Sequence, residues 1–310
     1  MQIQWFPGHM HKAAKAVRET LPTVDVLIEV LDARIPFSSQ NPMIAQLVGD
    51  KPCIKLLNKS DLADPELTTL WQRHMEQQDN VRTLATNVKS QDPLRQVTDL
   101  CHKLIPHKGG EDDYRNIHAM IIGIPNVGKS TLINALAGRT IAKTGNEPAV
   151  TKNQQRIKLE HGITLIDTPG MMWPKIEHEN SGYRLAVTGA IKDTATDNTD
   201  VAFATAEYLL EIYPERLVER YQLDTTPESP LELIESIGRL RGCLRSGGDV
   251  LLDKASKILI SELRSGVLGT MTLEDPTRVE HEQQEVEIAR EAKRLKEEAR
   301  KKNFKKKRRH

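Results

Sequence analysis

The sequence lacks a long hydrophobic run, a secretory leader and a cysteine framework. No stretch approaches the ~20 apolar residues that a membrane-spanning helix needs. No basic segment precedes an apolar one near the first residue, which argues against a signal peptide. Only three cysteines occur in 310 residues, and they are too far apart for a metal site or an evident disulfide framework. These absences predict a cytoplasmic globular protein with reduced thiols and no membrane partner.

The chain also has little net charge, +1 in total, but that charge is unevenly distributed. Residues 300–310 contain eight Lys or Arg side chains and no acidic one, which leaves a net charge of −7 on positions 1–299. A mildly acidic body with a concentrated basic tail predicts a polyanionic partner. Because its cations repel one another, we expect the tail to be unfolded on its own; a merely solubilising end is the alternative.

A phosphate-binding loop follows residues 118–122, a largely apolar segment that predicts a strand. Residues 123–130 read Gly-Ile-Pro-Asn-Val-Gly-Lys-Ser, the Walker A pattern. Its glycines let backbone N–H groups point at phosphate oxygens, its lysine reaches the terminal phosphates, and its hydroxyl binds Mg²⁺. The helix N-terminus that follows lies beneath the phosphates. The predicted phosphate ligands are Asn126, Val127, Gly128, Lys129, Ser130 and Thr131.

A base-reading motif, Asn58-Lys59-Ser60-Asp61, precedes this loop in the chain. The Asp61 carboxylate can accept hydrogen bonds from guanine N1–H and the exocyclic amine, and the Lys59 stem would lie over the base. Thr86 and Asn87 fit the loop that backs the base, although they match the usual Ser-Ala-Lys imperfectly. Ras-like GTPases carry the phosphate loop first and the base motif last. The reversed order predicts a circularly permuted guanine-nucleotide switch that binds GTP and GDP.

Downstream residues complete the predicted phosphate site. Asp167, in an Asp-Thr-Pro-Gly run at a predicted strand end, would hold Mg²⁺ through water, and Gly170 would give its amide to the γ-phosphate. Thr151 is our candidate for the switch threonine that closes on Mg²⁺, with Thr144 as the alternative.

Two further positions bear on catalysis. Ras-like enzymes carry a water-orienting Gln at the position that Met171 occupies here. Methionine cannot orient water by hydrogen bonding, so another residue or a partner must complete the site. Asn126 can ligate a monovalent cation such as K⁺ near the phosphates, or it can simply cap a turn; the sequence favours neither.

The order of predicted elements gives the fold class. Strands alternating with helices predict an α/β P-loop GTPase domain over residues 1–175, with a mainly parallel sheet whose ligands lie beyond the carboxyl ends of the strands. Helical periodicity predicts a smaller all-α domain over residues 176–270. Residues 271–310 predict a charged helical extension that ends in the basic tail.

The segment Ile3-Gln-Trp-Phe-Pro-Gly-His-Met10, the run Asp32-Ala33-Arg34-x-Pro36 and the two nucleotide motifs together resemble the ribosome biogenesis GTPase A family, the YlqF-type circularly permuted GTPases. The resemblance covers residues 1–265. It implies a GTPase that acts late in assembly of the large (50S) ribosomal subunit, is stimulated by that particle, and contacts ribosomal RNA through its helical domain. It also implies that His9 replaces the missing catalytic side chain. Taken alone, His9 is more typical of a turn or helix cap.

Two other functions compete with a GTP hydrolase. The chain could be a GTP-gated RNA-binding module whose hydrolysis is incidental; GTP turnover with and without large subunits would distinguish the two. The chain could also be a P-loop ATPase or kinase, if the match of Asp61 to the base-reading motif were a coincidence. Nucleotide competition would test that. No feature predicts DNA as a partner.

The base motif generates a direct prediction. Replacing Asp61 by Asn exchanges a hydrogen-bond acceptor for an amide donor, which suits the 2-oxo group of xanthine better than the amine of guanine. We expect Asp61→Asn to lose GTP binding and to gain binding of xanthosine triphosphate, measured by competition with a fluorescent nucleotide. Full retention of GTP affinity would contradict the permuted assignment.

Overall fold

The structure is a computed structural model of the chain and describes residues 5–6, 8–87, 92–108, 116–142 and 154–307. Within these ranges, the structure does not describe the side chains of residues 9, 299 and 301–307. In the described part of the chain, no helix is both long enough and apolar enough to cross a membrane. The three cysteines are buried and unpaired, in agreement with the sequence prediction.

A six-stranded sheet forms the centre of the fold, with strand order β3-β2-β1-β4-β6-β5. All neighbouring strands are parallel except β5 and β6, which form an antiparallel pair. The strands are β1 (Val26–Asp32), β2 (Cys53–Asn58), β3 (Val81–Ala85), β4 (Ile117–Gly123), β5 (Gln155–Lys158) and β6 (Ile163–Asp167). Because helices cover both faces, β1 and β2 are buried along their whole length and are largely apolar.

The strand order places the nucleotide motifs at one edge of the sheet. From central β1 the chain runs outward through β2 to β3, and it then returns to β4 on the other side of β1. The order therefore reverses between β1 and β4, and ligands of open α/β sheets bind beyond the carboxyl ends of the strands at such a point. In the strand register Asp32 lies beside Asn58, and Ile121 lies beside Asp167. This topology is the mainly parallel α/β sheet that the sequence predicted.

Helices flank the sheet, and several begin at capping residues that the sequence supplies. Asn41 accepts a hydrogen bond from Met43 N, Asp64 from Glu66 N, and Asp92 from Arg95 N; a proline follows each cap. The helices of this part are α1 (Gly8–Thr20), α2 (Pro42–Val48), α3 (Pro65–Met75), α4 (Pro93–Leu104) and α5 (Lys129–Leu136). Helices α1 and α2 were not among the predicted elements.

Five more helices follow the sheet: α6 (Glu179–Val187), α7 (Asn198–Ile212), α8 (Pro214–Tyr221), α9 (Pro230–Leu240) and α10 (Leu252–Ser265). Leu209, Leu233, Ile237 and Leu259 are fully buried between them. These side chains belong to the same apolar cluster as Ile28 and Ile121 of the sheet. The helical region therefore packs directly on the α/β part.

After α10 the chain returns to the α/β part. Leu273 N donates to Arg34 O at 2.8 Å, and Trp71 Nε1 donates to Glu274 O at 3.0 Å. The Glu274 carboxylate is completely buried; it accepts hydrogen bonds from Phe37 N and from Ser38 N and Oγ. The segment after residue 270, predicted to begin an extension, is therefore part of the junction between the two regions.

The last helix, α11 (Pro276–Lys307), continues into the basic tail, which was predicted to be unfolded only on its own. Its first turns are anchored by two hydrogen bonds from the Arg184 guanidinium to Glu282, at 2.7 and 2.8 Å. Once a helix is nucleated, each further residue adds at little cost. This effect favours helix in residues 300–307, whereas the prediction concerned the tail on its own. Residues 308–310 lie outside the described residues.

Candidate functional site

The phosphate loop connects the end of β4 to the start of α5. Gly128 caps α5 with φ +93°, and a Cβ at this position would collide with Asn58 Nδ2, so both the backbone conformation and the available space require glycine. A Cβ on Gly123 would lie 2.9 Å from Val30 O. Neither glycine has room for a side chain, and a loop that binds phosphate through its backbone N–H groups and a helix N-terminus needs glycine at such positions.

Two side chains of the base motif hold this loop. Asn58 Nδ2 donates to Val127 O at 2.8 Å, and Lys59 Nζ donates to Asn126 O at 2.8 Å. Lys59 adopts a left-handed backbone conformation with φ +60°, which turns the chain out of β2. The structure thus brings together two motifs that are about seventy positions apart in the chain and lie at one sheet edge.

Asp61 is exposed, in a short turn of 3₁₀-helix over Ser60–Leu62. The predicted base-backing loop lies beside it: Ser60 N and Oγ both donate to Thr86 O, at 3.1 and 3.0 Å. Asn87 Nδ2 lies 3.5 Å from Ser60 Oγ. The Asp61 carboxylate is therefore accessible to a ligand, and its turn is fixed against the residues after β3.

The predicted phosphate ligand Lys129 and the predicted metal ligand Asp167 lie side by side. Their ammonium and carboxylate form a buried ion pair. Burial lowers the pKa of Lys129, and the charge of Asp167 opposes that shift. Ser130 is half-buried next to this pair, and Thr131 is exposed one position further along α5.

The backbone after Asp167 runs close to the phosphate loop. A Cβ on Gly170 would lie 3.2 Å from Pro125 Cα, so a larger residue would be forced against the loop. Met171 N donates to Gly123 O at 3.0 Å, and Asn41 Nδ2 donates to Met171 O at 3.0 Å. The Met171 side chain is buried within the apolar cluster that also contains Leu57 and Ile122. Position 171 therefore serves packing, and its side chain does not reach the phosphate cradle.

The remaining predicted residues are described in part. Thr151 and Thr144 lie outside the described residues, and for His9 only the backbone, in α1, is described. The next residue, Met10, is fully buried, and its sulfur accepts a hydrogen bond from Met172 N at 3.4 Å. The start of α1 thus lies against the segment that follows Gly170.

Asn126 contacts the helical region. Its Nδ2 donates to Gly189 O at 2.8 Å, just after α6. The Arg264 guanidinium secures the same corner by donating to Ala186 O and Val187 O. The phosphate loop is therefore in direct contact with the helices.

Sequence reasoning assigned no site role to Asp32 or Asn41. Asp32, in the Asp-Ala-Arg run, accepts a hydrogen bond from Lys59 Nζ at 2.9 Å. Its position at the end of an apolar segment that reads as a buried strand was the available signal for a site residue. Asn41 lies 130 positions from its partner Met171, and no sequence pattern indicated that contact.

The strand order, the glycine cradle and the adjoining Asn-Lys-x-Asp motif define a P-loop GTPase. A family model described as "50S ribosome-binding GTPase" matches residues 118–222. The chain is 49% identical over 281 residues to ribosome biogenesis GTPase A of Bacillus pumilus, across 89% of this chain and 99% of that protein. It is 30% identical to the Thermotoga maritima protein of the same name, across 91% and 98%.

Solved structures agree with these relatives. The GNP-bound crystal structure of YlqF from T. maritima is 26% identical, with a TM-score of 0.60 and coverage of 86% of this chain and 98% of that one. A GDP-bound YlqF structure has a TM-score of 0.63 at 25% identity, across 84% and 99%. The chain belongs to the ribosome biogenesis GTPase A family. It is a GTP-hydrolysing enzyme of ribosome biogenesis.

The burial of Met171 generates a prediction about catalysis. Met171→Gln restores the residue type of Ras-like enzymes, but the amide would enter an apolar cluster. We expect no rise in intrinsic GTP turnover and a loss of about 1–3 kcal/mol in the free energy of unfolding. Phosphate release and urea denaturation measure the two quantities.

Met171→Leu is the matched control for that variant, because a swap of similar volume usually costs less than about 1.5 kcal/mol. A gain of turnover in Met171→Gln over Met171→Leu would show that position 171 does face the nucleotide.

Proposed function

We propose that this chain hydrolyses GTP at the edge where β1, β2, β4 and β6 end, and that it does so during late assembly of the large (50S) ribosomal subunit. The observation that carries the proposal is the pair of hydrogen bonds from Asn58 and Lys59 to the phosphate loop. They support a continuous binding surface, in which Asp61 recognises the base and Lys129 binds the phosphates.

In this proposal the nucleotide is held from both ends. Asp61 accepts from guanine, and Thr86 and Asn87 back the base. The amides of residues 126–131 and the Lys129 ammonium hold the phosphates, while the amide of Gly170 faces the γ-phosphate. The chemistry of these donors suits a triphosphate, because backbone N–H groups and a lysine ammonium bind phosphate oxygens.

We propose Mg²⁺ and K⁺ as the accompanying cations. Ser130, Asp167 and Thr151 offer the hard oxygen ligands that Mg²⁺ prefers, and Mg²⁺ would neutralise charge on the phosphates. Because the Asn126 amide nitrogen donates to Gly189 O, K⁺ would be held through the oxygen of the same side chain.

For the attacking water we propose His9 as the orienting group, with Thr151 closing the site. The support is the position of the α1 start, where Met10 contacts Met172 directly after the Gly170-Met171 turn. A positioned acid–base or orienting group contributes roughly 10²-fold in rate. His9→Ala should therefore reduce stimulated turnover by about that factor, with nucleotide affinity almost unchanged.

The partner in this proposal is the large subunit or its precursor, contacted through ribosomal RNA in the cytoplasm. The names of the relatives, the description of the matching family model and the basic tail support it. We assign the permuted GTPase unit to residues 1–175, the particle-contacting helices to 176–270, and an electrostatic contact to 271–310. We propose no membrane or DNA partner.

GTP turnover by the purified chain tests this function. We expect isolated large subunits to raise turnover well above the intrinsic rate and small subunits to have no such effect. KCl should support faster turnover than NaCl at matched ionic strength if Asn126 helps to hold K⁺. Lys129→Ala is the control: losing a hydrogen bond to a charged group costs about 1.5–3 kcal/mol, or roughly 10- to 150-fold in GTP affinity.

Two results would contradict the proposal. Nucleotide-dependent binding to large subunits without stimulated turnover would favour the GTP-gated RNA-binding module. Equal turnover with ATP and GTP would contradict the assignment of Asp61 as the residue that recognises guanine.

The basic tail generates a separate prediction. Neutralising phosphates releases counterions, so binding through the tail should depend on salt with a slope of up to about −0.7 per contact, the single-strand value. Deletion of residues 300–310 should weaken binding to large subunits and flatten that slope, measured by sedimentation at several salt concentrations. Intrinsic turnover should not change.

Replacing Lys305, Lys306 and Lys307 together by Gln keeps the length of the tail and removes three charges; it should produce a smaller change in the same direction. Unchanged affinity and slope in the deletion variant would show that the tail is not a contact.

A further inference from the structure

Asp32 lies at the centre of the nucleotide edge. It is the last residue of β1, and β1 lies between β2, which carries the base motif, and β4, which carries the phosphate loop. Its carboxylate is almost fully buried, with a side-chain exposure of 3%. A buried carboxylate is costly unless it is paired and hydrogen-bonded, so its partners indicate its purpose.

Both oxygens of this carboxylate are occupied by named donors. Oδ1 accepts from Arg34 N at 3.1 Å and from Arg34 Nε at 2.9 Å. Oδ2 accepts from Arg34 Nη2 at 2.8 Å and from Lys59 Nζ at 2.9 Å. The bidentate Arg34 pair fixes the plane of the carboxylate, so that one of its oxygens is held toward Lys59.

Lys59 connects the Asp32 carboxylate to the phosphate loop. Its ammonium bridges Asp32 Oδ2 and Asn126 O, and 24% of its side chain stays exposed. Burial lowers the pKa of Lys59, and Asp32 opposes that shift most strongly. A lysine stem has many rotamers, and fixing one of them in advance reduces the entropy lost when a ligand binds.

We propose that Asp32 is a positioning residue for guanine-nucleotide binding: it holds the Lys59 ammonium against the phosphate loop, and Arg34 holds Asp32. The proposal rests on the nucleotide site proposed above. Asp32 does not contact the nucleotide; it acts through Lys59. Arg34 is itself secured, because its Nη1 lies 3.4 Å from Arg264 O at the end of α10 and Leu273 N donates to its carbonyl.

A double-mutant cycle on the affinity for a fluorescent GDP analogue tests this role. We expect Asp32→Asn and Lys59→Met each to weaken binding by roughly 10- to 100-fold, the scale of a hydrogen bond to a charged group. Because Asp32 acts through Lys59, the double variant should bind almost as well as Lys59→Met alone. Wild-type affinity in Asp32→Asn, or single effects that multiply in the double variant, would overturn the proposal.

Folding must be separated from binding, because Asp32→Asn leaves the buried Arg34 guanidinium without its anion. Circular dichroism reports whether each variant is folded. The same cycle is also run in an Arg34→Met background, which removes that guanidinium. There too, loss of Asp32 should weaken binding only while Lys59 is present; an equal loss with and without Lys59 would mean a purely structural role.

Asp25 supplies a matched control, since it precedes the opposite end of β1 and pairs with Lys108 at 2.9 Å. Asp25→Asn removes a carboxylate of the same strand region and should leave nucleotide affinity unchanged. If the wild-type chain bound no GDP analogue, or Lys129→Ala bound it normally, the proposed nucleotide site would fail. Tight wild-type binding with a normal Asp32→Asn variant would refute only the role of Asp32.

Discussion

The structure depends on the attachment of the base motif to the phosphate loop through Asn58 and Lys59. Both donate to carbonyl groups of that loop. A glycine-rich loop has large conformational entropy, and these hydrogen bonds, together with the collision that excludes a side chain at Gly128, restrict it. The permuted chain order does not disturb this contact, because strand order in space and strand order in sequence are independent.

Buried charge organises the region behind this contact. Asp32 pairs with Arg34 and Lys59, and Lys129 pairs with Asp167. Two positive partners hold the pKa of Asp32 well below its usual range despite burial. Removing one partner of a buried ion pair typically costs about 3–5 kcal/mol, because the other charge stays buried and uncompensated. These groups therefore specify one arrangement of the strand ends more than they add net stability.

The junction with the helices is built from the same kinds of contact. Gly189 O accepts from Asn126, Arg264 O lies near Arg34, and the Glu274 carboxylate accepts from the backbone of Phe37 and Ser38. Arg184 lies 3.4 Å from Glu274 and also pairs with Glu282 of α11. The phosphate loop and the segment that follows β1 thus both contact the C-terminal part of the chain. This geometry fits a switch in which the nucleotide-binding region and the C-terminal helices are in direct contact.

The sequence by itself determined the identity of the nucleotide motifs, their permuted order, the alternation of strands and helices, and the location of the helical half. Each of these depends on residue types at short, fixed spacings: glycines before Lys129, apolar strands before Asn58 and Asp167, and helical periodicity after residue 180. Only the tertiary structure decided four other features. These are the partners of Asp32, the burial of Met171, the contact of Glu274 with the α/β part, and the helix in the tail. They join or anchor groups that are distant in the chain, and such contacts form only after the sheet has fixed which strand ends are neighbours.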